Sequence, residues 1–275
     1  MRRKNYLWYR FWRHTIVGTG LKFFYKKIKP VGLENIPKDK PIIFVPNHQN
    51  SFMDALHVAV TVKPVIYFLT RAQAFKPTLL GKFLWSINMM PVYRVRDGLK
   101  SVQKNNAIFE KCFKYLKNND TILVFAEANH NLKRRIRPLS KGFTRIAFGA
   151  EEKFDWDLDL QIVPVGINYT AHREARNTVQ VEYGEAIPAK NYKSAYEEDQ
   201  NEAAQQMKKD VADAMKELVF HVQDLKEYPV QQILWDALET EDEVLTDPKI
   251  SNQRISKTKE HITPKRIDQA KEAQK

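Results

Sequence analysis

Short apolar runs recur along the first two thirds of the chain, separated by turns and by stretches with helical spacing. Because most of these runs are continuous rather than alternating, they are typical of strands in a sheet that is covered on both faces. Strands are predicted at residues 41–45, 65–69, 90–94, 121–125, 162–168 and, as an alternating edge, 179–183. Helices are predicted between the strands at residues 51–60, 79–87 and 101–116. This order predicts an α/β fold with a mostly parallel central sheet flanked by helices.

Both ends of the chain depart from this pattern. Residues 195–228 have the spacing of one long, charged amphipathic helix. Residues 246–275 lack periodic apolar positions and are expected to form a mobile tail. The predicted division is a helical segment at 1–30, the α/β domain at 31–190, a helical C-terminal extension at 191–245 and the tail at 246–275.

Charge is distributed unevenly along the chain. The 275 residues carry a formal net charge of +12, but residues 1–188 hold 31 basic and 15 acidic side chains, while the remainder carries −4. Such a basic region favours an anionic partner: nucleic acid, anionic lipid or a phosphorylated substrate. The single cysteine, Cys112, excludes a disulfide framework and a cysteine-based zinc site. Cys112 lies on a helical apolar stripe, so we expect it to be a small buried hydrophobic residue.

The first 30 residues contain nine cations, no acidic residue and eight interleaved aromatic side chains. Trp and Tyr favour the headgroup level of a bilayer, and each cation near anionic lipid contributes about 1 kcal/mol. The pattern predicts a helix that lies on an anionic membrane surface, and hence a peripheral protein on the cytoplasmic face. No apolar run reaches the roughly 18 residues of a spanning helix. A helix packed on the domain, or a surface that stacks on RNA bases, are the alternatives.

A candidate general base lies where the first predicted strand gives way to a helix. The segment from Asn47 to Asp54 contains His48, and strand ends in open α/β sheets are where functional sites form. A carboxylate beside a histidine fixes the imidazole tautomer and stabilises the imidazolium, so this pair can remove a proton from a hydroxyl. The alternative is a helix cap at Asn50 or Ser51 beside a histidine with only a structural role.

Three further segments follow the His48 segment. Arg94 stands just beyond a short strand, Glu127 stands at the end of the strand at 121–125, and Val163-Pro164 lies inside an apolar strand. In this order and at these spacings, the four segments resemble the sequence blocks of the glycerolipid acyltransferase superfamily, typified by 1-acylglycerol-3-phosphate acyltransferases. The resemblance covers about residues 40–170.

The resemblance implies a reaction and roles for particular residues. The reaction is transfer of a fatty acyl group from a thioester, acyl-CoA or acyl-carrier protein, to a hydroxyl of a lysolipid, by default 1-acylglycerol-3-phosphate, in phospholipid synthesis. His48 is then the general base and Asp54 orients it. Arg94 would hold the acceptor phosphate, and Glu127 would position the acceptor or its supporting loop. No covalent nucleophile is needed.

The expected partners follow from the basic N-terminal segment and from the resemblance. They are an anionic membrane surface, the lysolipid acceptor and the acyl thioester donor, and no nucleic acid is expected. No glycine-rich phosphate loop or carboxylate cluster in the sequence indicates a nucleotide cofactor or a metal, so we expect neither.

The spacing between His48 and Asp54 departs from the family pattern, because five residues intervene where the family has four. On an ideal helix one extra residue turns a side chain by about 100°, which would separate the pair. We therefore predict a non-helical kink around Asn50 and Ser51 that restores the contact. Without it, a different group must orient His48.

The third block departs as well. It reads Ala126-Glu127-Ala128-Asn129-His130, so a histidine stands where the family has an arginine. A basic run follows and is expected to supply the missing charge for a phosphate, unless it is only a solvated face. Substrate binding is therefore predicted for Arg94, Glu127, Asn129, His130, Arg134, Arg135, Arg137 and Lys141.

Two other functions stay open from the sequence. A thioester or lipid hydrolase would use the same His48–Asp54 pair with water in place of the acceptor hydroxyl. A catalytically inactive protein would bind anionic lipid, or nucleic acid, through the basic surface.

Overall fold

The computed structural model describes residues 6–76, 78–94, 103–127, 129–172 and 174–222, together with Lys226 and Tyr228. Its N-terminal segment is helical: α1 (Tyr6–Phe11) continues through a π-helical stretch (Trp12–Val17) into α2 (Gly18–Phe24). The predicted helical segment to residue 30 is therefore too long, because strand β1 (Lys27–Val31) follows. β1 was not predicted because its side chains are exposed or half-buried, so no apolar run marks it.

Strands and helices then alternate. The first half of this region contains β2 (Ile42–Pro46), α3 (Phe52–Thr61), β3 (Ile66–Arg71), α4 (Thr78–Ser86), β4 (Met89–Val92), α5 (Asn105–Lys117) and β5 (Thr121–Leu123). The second half contains α6 (Gly142–Lys153), β6 (Gln161–Tyr169), β7 (Thr178–Tyr183), β8 (Ile187–Pro188), α7 (Lys193–Glu198) and α8 (Gln200–Leu218). Short 3-10 turns lie at Leu33–Asn35, Ala72–Phe75 and Ala189–Tyr192.

The strands form one sheet in the order β1-β7-β6-β2-β5-β3-β4, with β8 also paired to β6. The five strands from β2 to β6 are mutually parallel, while β7 and β8 run antiparallel to β6. β2 lies at the centre, with Ile42 opposite Thr121 on one side and Gln161 on the other. This confirms the predicted mostly parallel α/β sheet. The carboxyl ends of all five parallel strands meet at one edge, where ligands bind in open α/β sheets.

Helices cover both faces of the sheet. On one face Ile43 and Val45 of β2 pack in a core with α5, α6 and α8, and Cys112 is fully buried there. On the other face Ile42 and Phe44 pack with α3, α4 and the N-terminal helices. Burial raises the pKa of Cys112 to about 12, so the expectation of a buried hydrophobic residue is confirmed.

The C-terminal helix is shorter than predicted and is broken. The expected single helix at 195–228 divides at Asp199, whose side chain caps α8 by accepting from the backbone N–H groups of Asn201 and Glu202. An aspartate in this position starts a new helix because it satisfies free N–H groups. α8 ends at Leu218, and Val219 is extended. The predicted tail at 246–275 lies outside the described residues.

Candidate active site

His48 and Asp54 are in contact at the carboxyl end of β2. The His48 Nδ1 atom lies 2.9 Å from Asp54 Oδ2, and Asp54, in the first turn of α3, is fully buried. The loop between them is kinked, since Ser51 has φ 50° and ψ −125°. The Asn50 backbone N–H also donates to Asp54 Oδ2 at 2.8 Å. The predicted kink around Asn50 and Ser51 is thus confirmed, and the extra residue does not separate the pair.

Side-chain amides fix this loop to strand β6. Asn47 accepts from the Ile167 backbone N–H at 2.7 Å and donates to the Ile167 carbonyl at 3.0 Å. Asn50 Nδ2 donates to the His172 carbonyl at 2.8 Å, and the Gln49 side chain lies 2.9 Å from His172 Nε2. These bonds hold the loop that carries His48 against β6 and the segment that follows it.

A tyrosine that was not predicted from the sequence completes the arrangement. Tyr169, the last residue of β6, donates its hydroxyl hydrogen bond to Asp54 Oδ1 at 2.7 Å. The only sequence signal is that a tyrosine in a fully buried strand needs a hydrogen-bond partner for its hydroxyl.

The imidazole of His48 faces a groove. Its ring stacks on Phe125 with centroids 3.9 Å apart, and its Nε2 atom makes no hydrogen bond to any described residue. The groove has a volume of about 660 Å³. Much of its wall is apolar, including Phe52, Phe68 and Phe109. A proton acceptor therefore stands beside a space that suits a fatty acyl chain.

Four cations also line the groove: Arg71, Arg94, Lys141 and Arg145. No carboxylate is among the described residues that line it, so the side chains of the lining favour a negatively charged ligand. Arg94 donates to Asn129 Oδ1 at 2.8 Å, and Lys141 donates to Asn201 Oδ1 at 3.0 Å. Arg71 was not predicted, although it ends β3 just as Arg94 follows β4.

Of the predicted substrate-binding residues, three line the groove with His48. These are Arg94, His130 and Lys141. The His130 ring meets the His48 ring edge-on, with centroids 5.8 Å apart. Asn129 contacts the groove through its bond to Arg94. The order of the blocks along the chain thus brings these residues together in space.

Glu127 and Arg137 form a buried ion pair instead of lining the groove. Arg137 Nε donates to Glu127 Oε2 at 2.8 Å, and the charged Nη2 atom lies 2.8 Å from the same oxygen without a hydrogen bond. Burial raises the pKa of Glu127 to about 7, opposed by the guanidinium of Arg137. The Glu127 carbonyl accepts from the Asn129 backbone N–H at 2.8 Å. Glu127 is therefore placed to support the loop of the third block rather than to touch a ligand.

Arg134 and Arg135 are also not among the residues that line the groove. Arg134 is buried, and its Nη2 atom donates to the carbonyls of Tyr169 and Thr170 at 3.1 Å each. It thus holds the end of β6. The predicted cationic run is therefore divided: Lys141 and Arg145 face the groove, whereas Arg134 and Arg137 are used inside the fold.

The N-terminal helices pack on the domain with one side and expose apolar residues on the other. Tyr9 and Leu21 are buried, whereas Leu7 and Phe23 are 81% and 85% exposed. α4 exposes Leu79. No helix among the described residues combines the length and the hydropathy needed to cross a bilayer.

One of the cations predicted for the basic surface of residues 1–30 is buried in the structure instead. Arg13 is buried and donates to the carbonyls of Lys63 and Pro64 at 3.2 and 3.0 Å. The N-terminal helical segment therefore packs on the domain, which was the alternative to a membrane-bound helix. It also presents an apolar side to solvent.

Comparison with known proteins places the chain in a family. Residues 27–168, about half of the chain, match the model of the acyltransferase family. The protein is therefore a member of the acyltransferase family, as the resemblance from the sequence implied.

Two known proteins resemble the chain. The 1-acyl-sn-glycerophosphate (LPA) acyltransferase PlsC from Thermotoga maritima matches with a TM-score of 0.52 at 19% identity, over 78% of this chain and 85% of that one. This likeness shows a shared fold. Glycerol-3-phosphate O-acyltransferase 1 from Saccharomyces cerevisiae is 29% identical over 82 residues, which are 30% of this chain and 11% of that protein.

Proposed function

We propose that the protein transfers a fatty acyl group from an acyl thioester to a hydroxyl of a glycerol-phosphate acceptor, with 1-acylglycerol-3-phosphate as the default acceptor. The observation that carries this proposal is the His48–Asp54 contact of 2.9 Å beside a groove that combines apolar walls with four cations. The family match and the fold of PlsC support glycerolipid acyl transfer as the class of reaction.

The proposed chemistry uses His48 as the general base. Its Nδ1–H donates to Asp54, so Nε2 is free to take the proton of the acceptor hydroxyl. The alkoxide oxygen then attacks the thioester carbonyl carbon, the carbon–sulfur bond breaks, and the imidazolium returns the proton to the leaving thiolate. Asp54 stabilises the imidazolium during these steps. Cys112 is buried with its pKa raised to about 12, which makes it unsuited as a nucleophile.

The cations of the groove account for the phosphate of the substrate. In this proposal Arg94 and Lys141 bind the acceptor phosphate, while Arg71 and Arg145 bind the phosphates of the donor, acyl-CoA or the prosthetic group of acyl-carrier protein; the support is that all four line the groove. A hydrolase acting on the same donor would need no cations for an acceptor, since water carries no charge.

Glycerol-3-phosphate is a second candidate acceptor. The printed name of the yeast relative favours it. Both acceptors offer a hydroxyl and a phosphate to the same residues, and they differ in the acyl chain that 1-acylglycerol-3-phosphate already carries. Supplying each acceptor with palmitoyl-CoA and identifying the product by mass decides between them. Thiol release that is equal with and without either acceptor would instead indicate a hydrolase.

We further propose that the protein binds the cytoplasmic face of a membrane as a peripheral protein. The support is the exposed apolar side of the N-terminal helices and α4, with Leu7, Phe23 and Leu79 each more than 80% exposed. Apolar side chains on a helix with a basic surround are typical of insertion into the interface of an anionic bilayer.

A further inference from the structure

The carboxylate of Asp54 receives three hydrogen bonds, and they are divided unequally between its oxygens. Oδ2 accepts from His48 Nδ1 and from the backbone N–H of Asn50, whereas Oδ1 accepts from the hydroxyl of Tyr169. Asp54 is 0% exposed and Tyr169 is 1% exposed. Water therefore has no access to replace the tyrosine hydroxyl if it is removed.

The hydroxyl proton of Tyr169 has a defined direction. The second nearby group is His57 Nδ1, at 3.2 Å. That nitrogen lies 2.7 Å from the carbonyl oxygen of Met53, so it must carry a hydrogen and acts as a donor. Tyr169 therefore cannot donate to His57, and its proton points to Asp54. Burial, and then the negative charge of Asp54, raise the pKa of Tyr169 well above its usual range, so the hydroxyl keeps this proton.

We propose that Tyr169 is a positioning residue for acyl transfer: it fixes the plane of the Asp54 carboxylate so that Oδ2 faces His48, and it shares the carboxylate charge. This inference rests on the proposed role of His48 as general base. Tyr169, the last residue of the buried strand β6, would then act together with His48 and Asp54, which lie close to each other in the sequence.

Other titratable and charged groups surround this chain of three residues. They come from the residue after α2, from α3, from the third block, from the segment after that block and from the loop after β6, and they are Tyr25, His57, Glu127, His130, Arg134 and His172. Burial lowers the pKa of His57 to about 4, so this histidine is neutral near pH 7. Among the described residues, no member of this set donates a side-chain hydrogen bond to Asp54 Oδ1, which accepts from Tyr169.

The charge sharing has a measurable consequence. With the tyrosine present, the negative charge of Asp54 is divided among three donors. Without it, more of that charge acts on the imidazolium of His48, which then holds its proton to higher pH. The acidic limb of the pH–rate profile, which reports loss of that proton, should move to higher pH.

The test compares Tyr169→Phe with Tyr25→Phe in the full-length protein. Tyr25 is the matched control because it is a buried tyrosine of the same cluster, 6.4 Å from the Tyr169 ring, whose hydroxyl has no hydrogen-bond partner among the described residues. For Tyr169→Phe we expect kcat to fall roughly 10- to 100-fold, with the KM of both substrates within about twofold and the acidic limb shifted upward. Tyr25→Phe should keep the wild-type profile. A Tyr169→Phe profile equal to that of wild type, or an equal loss in both variants, would overturn the inference.

Two further measurements keep the inference testable if Tyr169→Phe folds poorly or the proposed reaction is wrong. Site-specific 3-fluorotyrosine at position 169 retains the shape but donates more strongly, so the acidic limb should move downward; an upward or absent shift contradicts the inference. NMR titration of the His48 imidazole needs no reaction. A higher titration midpoint in Tyr169→Phe supports the coupling even if no acceptor is ever turned over, and an unchanged midpoint refutes it.

Discussion

Asp54 Oδ2 lies 2.9 Å from His48 Nδ1 although five residues separate them, because Ser51 turns the chain with a positive φ of 50°. A helix that began directly after His48 would point the carboxylate elsewhere. Three donors, His48, Asn50 and Tyr169, hold the carboxylate in place. The geometry of the candidate site thus depends on a short strained loop and on a strand that lies more than 100 residues further along the chain.

The strain at Ser51 predicts opposite effects of two substitutions. Ser51→Gly relieves the positive φ, so we expect kcat within about twofold of wild type and a free energy of unfolding unchanged or up to about 1 kcal/mol higher. Ser51→Val places a β-branched side chain at that φ, so we expect kcat to fall at least about tenfold as the kink is lost. Steady-state kinetics and urea unfolding measure both effects. Wild-type kcat in Ser51→Val would show that the kink is not required.

The cations of the groove predict a donor-specific effect. Arg145→Gln should raise the KM for palmitoyl-CoA about fivefold or more, and should leave the KM for palmitoyl-pantetheine, which lacks the nucleotide phosphates, within about twofold. Arg135→Gln is the matched control, since Arg135 belongs to the same basic run but does not line the groove. Equal effects of Arg145→Gln on both donors would remove Arg145 from phosphate binding, and a large effect of Arg135→Gln would show that the run acts at long range.

The raised pKa of Glu127 predicts a pH-dependent stability difference. Its pKa is about 7 in the folded protein and 4.5 as the ordinary value, so the folded state holds more protons between these limits and loses stability as pH rises from about 4.5 to 7. Glu127→Gln removes this titration. The free energy of unfolding of wild type relative to Glu127→Gln should therefore fall by up to about 3 kcal/mol over this window.

Urea unfolding of both proteins at pH 4.5 and 7.5 measures this difference. The comparison cancels groups that titrate in both proteins, including His57 and His221, whose pKa values burial lowers to about 4. A difference that is constant with pH would mean that Glu127 ionises normally beside Arg137.

The exposed apolar side of the N-terminal helices predicts membrane binding. Replacing Leu7 and Phe23 by Ser should weaken partition into vesicles that contain phosphatidylglycerol by about tenfold for each residue, because each side chain loses about 1.5 kcal/mol or more of apolar transfer. Leu33→Ser is the matched control, since Leu33 is 41% exposed but lies outside these helices. Vesicle sedimentation reads the partition. Unchanged binding of the double variant would contradict the proposed membrane surface.

The sequence predicted the parts of the fold that rest on local patterns. Continuous apolar runs marked β2, β3, β5 and β6 because both faces of these strands are covered. The sequence of β1 contains no continuous apolar run, because its position is set by pairing with β7, about 150 residues away. The long C-terminal helix was predicted without its break because the capping role of Asp199 depends on where the helix restarts.

The candidate site was predicted in part for the same reason. His48, Asp54 and Arg94 follow strand ends and belong to recognisable blocks, so the sequence placed them together. Burial then decided the rest: Arg134 and Arg137 look like their neighbours Lys133 and Arg135 in sequence, but their partners, the carbonyl of Tyr169 and the carboxylate of Glu127, are known only from the fold. Tyr169 itself carries no motif.

His48 is proposed as the general base for acyl transfer to a glycerol-phosphate acceptor. The most direct test measures thiol release from palmitoyl-CoA with and without 1-acylglycerol-3-phosphate or glycerol-3-phosphate, for wild type, His48→Ala and the control His14→Ala, which alters an exposed histidine of the N-terminal helix outside the groove. We expect release that depends on an acceptor, a loss of about 10²- to 10⁴-fold in His48→Ala, and wild-type rates in His14→Ala. Acceptor-dependent thiol release at the wild-type rate in His48→Ala would contradict this role. Thiol release at the same rate with and without an acceptor would contradict acyl transfer.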